Sequence, residues 1–277
     1  MNRNVLSLFS GCGGMDLGFE GLFEVYAECV NPDMHPTWVG NAYNEKSLLP
    51  ATGFQNVFAN DILPYAKATW SRYFCTRGKD PDSFHLESIV HLVKLSKRGK
   101  FTFPYNVEVI TGGFPCQDFS VAGYRKGFES HKNHMGTRLT DNDNPTTENR
   151  GRLYIWMREV IEIIKPKVFI AENVKGLVTL GNVKSIIEND FRTIDKQGYI
   201  LVPARILNSA DFGVPQNRER IIFIGINKKY LRPEALRALS SENVSDEYDP
   251  YPPKTHYNIK LYPTPMFSGK LKPYVTT

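Results

Sequence analysis

Val5-Leu6-Ser7-Leu8-Phe9, followed at once by Ser10-Gly11-Cys12-Gly13-Gly14 and then by Met15-Asp16-Leu17-Gly18-Phe19, is the stretch that decides the architecture of this chain. Its first five residues form the short apolar run of a strand buried on both faces. The glycines stop that run, and the residues after them open a helix. Beyond a polar stretch around residues 31–53, the pattern returns. Gln55-Asn56-Val57-Phe58-Ala59-Asn60-Asp61 predicts a second strand ending in an acid, with a helical pattern through Tyr65, Ala68, Thr69 and Tyr73 behind it. Val107-Glu108-Val109-Ile110-Thr111 predicts a third, stopped by Gly112-Gly113. Leu153, Trp156, Val160, Ile161 and Ile164 fall on one helical stripe, which Pro166 ends. Val168-Phe169-Ile170-Ala171 is a further buried strand. Val183, Ile186, Ile187, Asp190, Phe191 and Ile194 give another helix, apolar on its stripe except at Asp190. Ile206-Leu207 and Ile221 to Ile226 close the regular part as strands. Strands alternating with helices predict an α/β domain, a mostly parallel sheet with helices on both faces.

Bulk properties exclude more than they select. The chain has 277 residues and a formal net charge of +5, which suits a polyanionic partner without requiring one. No apolar run is long enough to cross a bilayer, and Met1-Asn2-Arg3-Asn4 is no signal peptide. The cysteines are Cys12, Cys29, Cys75 and Cys116. They form no C-x-x-C pair and match no zinc spacing, so neither a metal nor a disulfide framework is expected. Reduced thiols and a cytoplasmic location are. Residues 124–150 are polar and without periodicity, and read as a long loop.

Several segments carry chemistry. In an open α/β sheet, ligands bind beyond the carboxyl ends of the strands, where glycines admit a close approach to backbone N–H groups. The turn Ser10 to Gly14 is such a place, and Asp61 at the end of the second strand is positioned to accept hydrogen bonds from a ribose. The glycines fail the G-x-G-x-x-G spacing, which disfavours a nicotinamide cofactor. Gly112-Gly113-Phe114-Pro115-Cys116-Gln117 sets a cysteine on a rigid turn just past a strand end. A lone cysteine is more often a small buried hydrophobe, but this position favours a nucleophile. Glu172, after Ile170-Ala171, is a carboxylate at the same sheet edge, where burial demands a partner or a task. In Gln216-Asn217-Arg218-Glu219-Arg220, Arg218 and Arg220 share one face of extended chain.

Taken together, Phe9-Ser10-Gly11-Cys12-Gly13-Gly14, Gly113-Phe114-Pro115-Cys116-Gln117, Glu172-Asn173-Val174 and Gln216-Asn217-Arg218-Glu219-Arg220 resemble the motifs of the DNA (cytosine-5)-methyltransferase family, in the family's order. The resemblance runs from residue 4 to about residue 226. It implies a Rossmann-like S-adenosylmethionine-dependent methyltransferase fold, with a catalytic domain over residues 1–228. Residues 229–277 are then a Pro-rich, irregular tail leading toward a target recognition domain.

By the same resemblance, Phe9, Gly11, Gly13, Gly14 and Leu17 line the S-adenosylmethionine pocket, Asp61 holds the ribose and Ile62 packs on the adenine. Pro115 and Leu153 close the methionine end. Glu87 stands where the family usually has an aspartate that contacts the adenine amino group, a departure that lengthens the side chain. Cys116 is implied as the nucleophile at cytosine C6, Glu172 as the donor at N3 and Arg220 as the donor to O2, with Arg218 as a further catalytic candidate. No residue identifies itself as the base for the C5 proton, which leaves water.

Double-stranded DNA is the implied partner, with the target base flipped out of the helix and a loop of residues 117–150 closing over it. That loop is longer than usual in the family, and its Gly136–Thr147 portion carries no readable motif. Family members normally continue into a recognition domain and a segment that returns to the cofactor site. Leu271-Lys272-Pro273-Tyr274-Val275 resembles the approach to that domain, so a second polypeptide carrying it is expected, ahead of a truncated gene or a fragment. A cytosine-5 methyltransferase acting on tRNA would share these motifs. A non-catalytic binding or regulatory remnant is disfavoured by the intact Cys116, Glu172 and Arg220.

Overall fold

The computed structural model describes residues 3–38, 45–115, 135, 137, 152–196, 198–241, 244–260 and 270–275. In chain order its elements are β1 (Arg3–Leu8), α1 (Gly14–Glu20), β2 (Glu24–Tyr26), β3 (Lys46–Leu48), β4 (Phe54–Asp61), α2 (Pro64–Phe74), β5 (Phe84–Leu86), α3 (Ile89–Lys97), β6 (Val107–Gly112), α4 (Leu153–Ile164), β7 (Val168–Val174), α5 (Val183–Arg192), β8 (Tyr199–Asn208), β9 (Glu219–Asn227), α6 (Pro233–Leu239), β10 (His256–Tyr257) and β11 (Lys272–Pro273). Seven strands form one sheet in the order β5-β4-β1-β6-β7-β9-β8. Pairing is parallel from β5 to β7, and β9 runs antiparallel to both β7 and β8. The mostly parallel sheet expected from the alternation is thus formed. From β1 the chain winds outward to β4 and β5, then returns to the other side of β1 for β6 and β7. The strand order therefore reverses between β1 and β6, and this is where open α/β sheets bind ligands.

Alternation along the strands assigns the two faces. Leu6, Leu8, Phe58, Ile110, Phe169 and Phe223 point to the face covered by α3, α4 and α5, where the largest core cluster lies. Their neighbours face the other way. Ala59 packs with Ala66, Trp70 and Phe74 of α2, whereas Val202 and Ile224 pack with Leu239 of α6 and Tyr251. Asp190, the single polar residue on the α5 stripe, accepts the Tyr154 hydroxyl of α4 at 2.6 Å. That bond removes the cost of a carboxylate on a packed helix face.

Several elements differ from the sequence reading. Glu172 is not the residue after a strand, because β7 continues through Val174 while β9 supplies its partner. Phe84–Leu86 and Ile89–Lys97 add a strand and a helix where none was read. The polar stretch around residues 31–53 contains a short strand, β3, which pairs antiparallel with β2 ahead of it. Residues beyond 228 include α6, and they pack on the sheet through Leu239 and Tyr251. The loop of residues 117–150, read as closing over a base, lies outside the described residues apart from Met135 and Thr137.

Candidate active site

The turn after β1 is built around left-handed backbone. Phe9, Gly11 and Gly13 have φ of 53°, 54° and 89°. At Gly13 that conformation coincides with a tight contact. A Cβ there would lie 2.5 Å from Phe74 Cε2 and 2.7 Å from Trp70 Cδ1, so only glycine fits. The opposite holds at Gly11 and Gly14, where an added Cβ would meet nothing within 4 Å. The turn thus rests on the aromatic floor of α2 and opens upward into free space.

Hydrogen bonds fasten this turn to the end of β4. Ser10 N donates to Asn60 O at 2.9 Å, and Asn60 N donates to Ser10 Oγ at 3.1 Å. Asp61 Oδ2 accepts Gly11 N at 2.9 Å, and Asp61 Oδ1 accepts Leu63 N at 3.0 Å. Each carboxylate oxygen keeps a second lone-pair direction. Half-buried Ile62 follows directly. The Asn60 amide donates to His85 O at 2.9 Å and Glu87 O at 2.7 Å, which ties the end of β5 to the same rim. Glu87 itself is exposed, its Oε1 accepting Ser88 N at 2.9 Å and lying 3.1 Å from His91 Nδ1.

At the carboxyl end of β6, Phe114 is buried and Pro115 half-buried. Asn173 Nδ2 donates to Phe114 O at 3.2 Å, so β7 anchors the segment entering the Gly-Phe-Pro-Cys motif. Cys116 itself lies outside the described residues. Leu153, the first residue of α4, is buried in the same core cluster as Phe114, with Phe9 packed against that cluster. Leu17 is half-buried beside Trp70 and Phe74.

The antiparallel course of β9 explains the remaining pair. Because β9 starts where β7 ends, Arg220 lies opposite Val174, and its side chain reaches back to Glu172. Arg220 Nε is 2.7 Å from Glu172 Oε1, and a second guanidinium N–H donates to Glu219 O at 2.8 Å. Glu172 Oε2 would be 3.3 Å from a Cβ on Gly113, so the acid stands directly over the glycine that precedes Phe114. Burial pushes the Glu172 carboxyl up from its ordinary value, and the charges of Arg220 and Arg218 pull it only partway back. The ion pair favours the carboxylate and the loss of water favours the acid. Burial prevails because one guanidinium contact does not replace a full hydration shell.

Arg218 is exposed, on a loop fixed by Asn208 and Ser209. Asn208 Oδ1 accepts Arg218 N at 3.1 Å, and Ser209 Oγ donates to Gln216 O at 2.6 Å. Val174, Lys175, Gln216, Asn217, Arg218 and Arg220 line a cleft of about 330 Å³. Sequence reasoning missed Asn173 and Asn60 as tethers. The available signal was an asparagine one residue from a motif acid, in each case at a strand end. Among the described residues no cluster of three His, Cys, Asp or Glu side chains could hold a metal ion.

Comparison with known proteins gives this geometry its family. The Type II methyltransferase M.BspRI of Lysinibacillus sphaericus is 32% identical over 284 aligned positions, which cover 99% of this chain and 50% of that protein. The Type II methyltransferase M.BsuRI of Bacillus subtilis is 37% identical over 231, covering 81% and 43%. The Type II methyltransferase M.NgoFVII of Neisseria gonorrhoeae is 32% identical over 222, covering 80% and 43%. The chain thus spans about half the length of these curated relatives. Among solved structures, one described as a DNA modification methyltransferase encoded within an E. coli prophage has a TM-score of 0.53 at 24% identity. It matches 89% of this chain and 50% of that one, a likeness of fold. The family match itself extends over residues 3–265, and the chain belongs to the C-5 cytosine-specific DNA methylase family.

Proposed function

We propose that this chain is the catalytic part of a cytoplasmic DNA (cytosine-5)-methyltransferase of a restriction-modification system, with S-adenosylmethionine as methyl donor. The observation that carries the reading is the Glu172–Arg220 pair over Gly113, at the same sheet edge as the open glycine turn and Asp61. A donor pair suited to a polar ring thereby adjoins a pocket suited to a nucleoside.

The residues at the switch point fit S-adenosylmethionine. Free space above Gly11 and Gly14 admits a ligand against backbone, and Asp61 retains lone pairs for ribose hydroxyls. In this reading Phe9, Gly11, Gly13, Gly14 and Leu17 shape the pocket, Ile62 packs on the adenine and Glu87 receives its amino group. Pro115 and Leu153 close the far end. When bound, S-adenosylmethionine supplies the electrophilic methyl group that C5 takes up.

The protein's own task is to make C5 nucleophilic. The Cys116 thiolate adds to C6, a C–S bond forms, and the displaced electron pair loads N3 and the carbonyl oxygen. Glu172 donates its proton toward N3, a role helped by the burial that keeps the acid form accessible. Arg220 has N–H groups beyond the two already engaged, and these stabilise the charge at O2. Return of the N3 proton to Glu172, with departure of the C5 proton to water and of the thiolate from C6, then restores the ring and the resting enzyme. Arg218 and Lys175 beside the cleft suit phosphate, a sequence-independent contact.

Double-stranded DNA is the proposed substrate, with its target base flipped to reach Cys116. A second polypeptide carrying the recognition part is the proposed partner. The test is methyl transfer to DNA of mixed sequence and to tRNA, by the chain alone and with the product of the neighbouring reading frame. Transfer to DNA at one short sequence, appearing on mixing, is the expected result. Transfer to tRNA instead, or to neither acid while S-adenosylmethionine binds, would overturn the reading.

A further inference from the structure

Asp16 is a buried acid for which the proposed reaction has no use. It sits on α1, directly behind the glycine turn, with 1% of its surface exposed. Its Oδ2 accepts the indole Nε1–H of Trp70 at 2.7 Å. Its Oδ1 has no hydrogen-bond partner among the described residues, nor do the amide atoms of equally buried Asn56. Trp70 is fully buried and stacks on Phe74 with centroids 4.7 Å apart, and these two rings form the floor under Gly13. A direct line of contact therefore runs from Asp16 through Trp70 to Gly13.

We propose that Asp16 is a positioning residue whose negative charge orients Trp70 and so holds the glycine turn in its ligand-binding form. The inference rests on the reading of that turn as the S-adenosylmethionine site. It adds a device by which pH acts on the site through a group that never touches the ligand.

Three observations support it. A charge-assisted hydrogen bond is shorter and stronger than a neutral one, which suits the 2.7 Å contact. Gly13 is in direct contact with the rings beneath it, since the space of even one methyl is already filled by Trp70 and Phe74, so a shift of Trp70 is felt at the turn. Burial also raises the Asp16 carboxyl to about 6, against the opposing effect of the Ser7, Trp70 and Asn56 groups that face it. A carboxyl raised in this way stabilises the fold fully only below its ordinary value of 3.8, and that contribution is lost as pH rises through about 6. At neutral pH the fold thus retains a charge that opposes its stability. Glu20 is the charged group acting on Asp16, from the same helix, and it is itself paired with Lys79 at 2.6 Å. Ser7 of β1 and Asn56 of β4 contribute dipoles, and Trp70 of α2 contributes its N–H.

The experiment follows two signals between pH 5 and 8 in the full chain and in Asp16→Asn and Asp16→Leu. One is the indole N–H resonance of Trp70, assigned by its loss in Trp70→Phe. The other is the dissociation constant of S-adenosylmethionine. In the wild type both should titrate with a midpoint near 6, with binding about five- to tenfold weaker on the acid side. Asp16→Asn keeps an acceptor but cannot titrate, so its profile should be flat at the weaker level, and Asp16→Leu should bind more weakly still. A Trp70 resonance insensitive to pH, or the same titration in Asp16→Asn, overturns the proposal even if the ligand binds. A Trp70 resonance that titrates without any binding of S-adenosylmethionine overturns the cofactor reading instead, and the positioning role with it. Loss of thermal stability in the variants without a change in either pH profile would mark Asp16 as merely structural, against the proposal.

Discussion

Glu172 shows how one side chain is tuned by where its strand ends. It is drawn out of water by β7 and β9, and this burial holds its proton more tightly than in solvent although the Arg220 pair across the strands favours the carboxylate. Glu172→Gln should lower the single-turnover methylation rate by on the order of a hundred- to thousandfold, about 2.7–4 kcal/mol, while leaving cofactor affinity nearly unchanged. The sign of its effect on stability is the reverse. An acid whose value is raised by folding stabilises most below its ordinary range, and this is lost as pH rises through the raised value. The glutamine variant should therefore be at least as stable as wild type at neutral pH, as measured by thermal melting. A large loss of stability together with a normal rate would show that Glu172 is a structural ion-pair partner. Residues of this kind were legible in the sequence because each departs from its surroundings: glycines that stop a strand, a proline before a cysteine, an acid after apolar residues. Asp16 was not legible. An aspartate in the first turn of a helix ordinarily faces solvent, and its burial depends on Trp70, which comes 54 residues later.

Elements were legible where they were long and periodic. α4 and α5 announced themselves by their stripes, and β1, β4 and β6 by apolar runs between stop signals. β5 escaped because it is three residues long and, among the described residues, pairs with β4 alone. α3 escaped although Ile89, Val90, Leu92 and Val93 share one buried helical face, because that stripe fills only the first half of a nine-residue helix and does not repeat. Strand direction was illegible too, since the run Ile221 to Ile226 reads alike either way. Yet direction is what brings Arg220 to Glu172, and it depends on close packing along β9. Gly225 pairs with Phe169, and a Cβ there would fall 2.0 Å from the Phe169 ring. Gly225→Ala should destabilise the chain by about 1–3 kcal/mol through overpacking, read as a shift in denaturant midpoint. It should also lower the methylation rate as the β7–β9 pairing shifts. An alanine variant as stable as wild type would mean that the two strands separate more freely than this packing implies.

Across the whole molecule, the order β5-β4-β1-β6-β7-β9-β8 gathers segments distant in sequence onto one rim. The carboxyl ends of β1, β4 and β6, the last residues of β7 and the start of β9 each bring one part of the proposed machinery. The domain's ability to concentrate chemistry there follows from the reversal of winding beside β1. The sequence motifs pointed to this rim without revealing its tethers, because Asn60, Asn173 and Asp16 act across contacts that exist only after folding. In the proposed reaction, everything turns on a covalent bond from Cys116 to a cytosine ring held by Glu172 and Arg220. Its most direct test is trapping on double-stranded DNA carrying 5-fluorocytosine in the target site, with S-adenosylmethionine and the proposed recognition polypeptide present. Fluorine at C5 cannot leave as a proton does, so the adduct persists and appears as a shifted band in a denaturing gel. The wild-type chain should form a stable adduct and Cys116→Ser none. An adduct that survives in the serine variant, or methylation of ordinary DNA with no trapping by wild type, would contradict this mechanism.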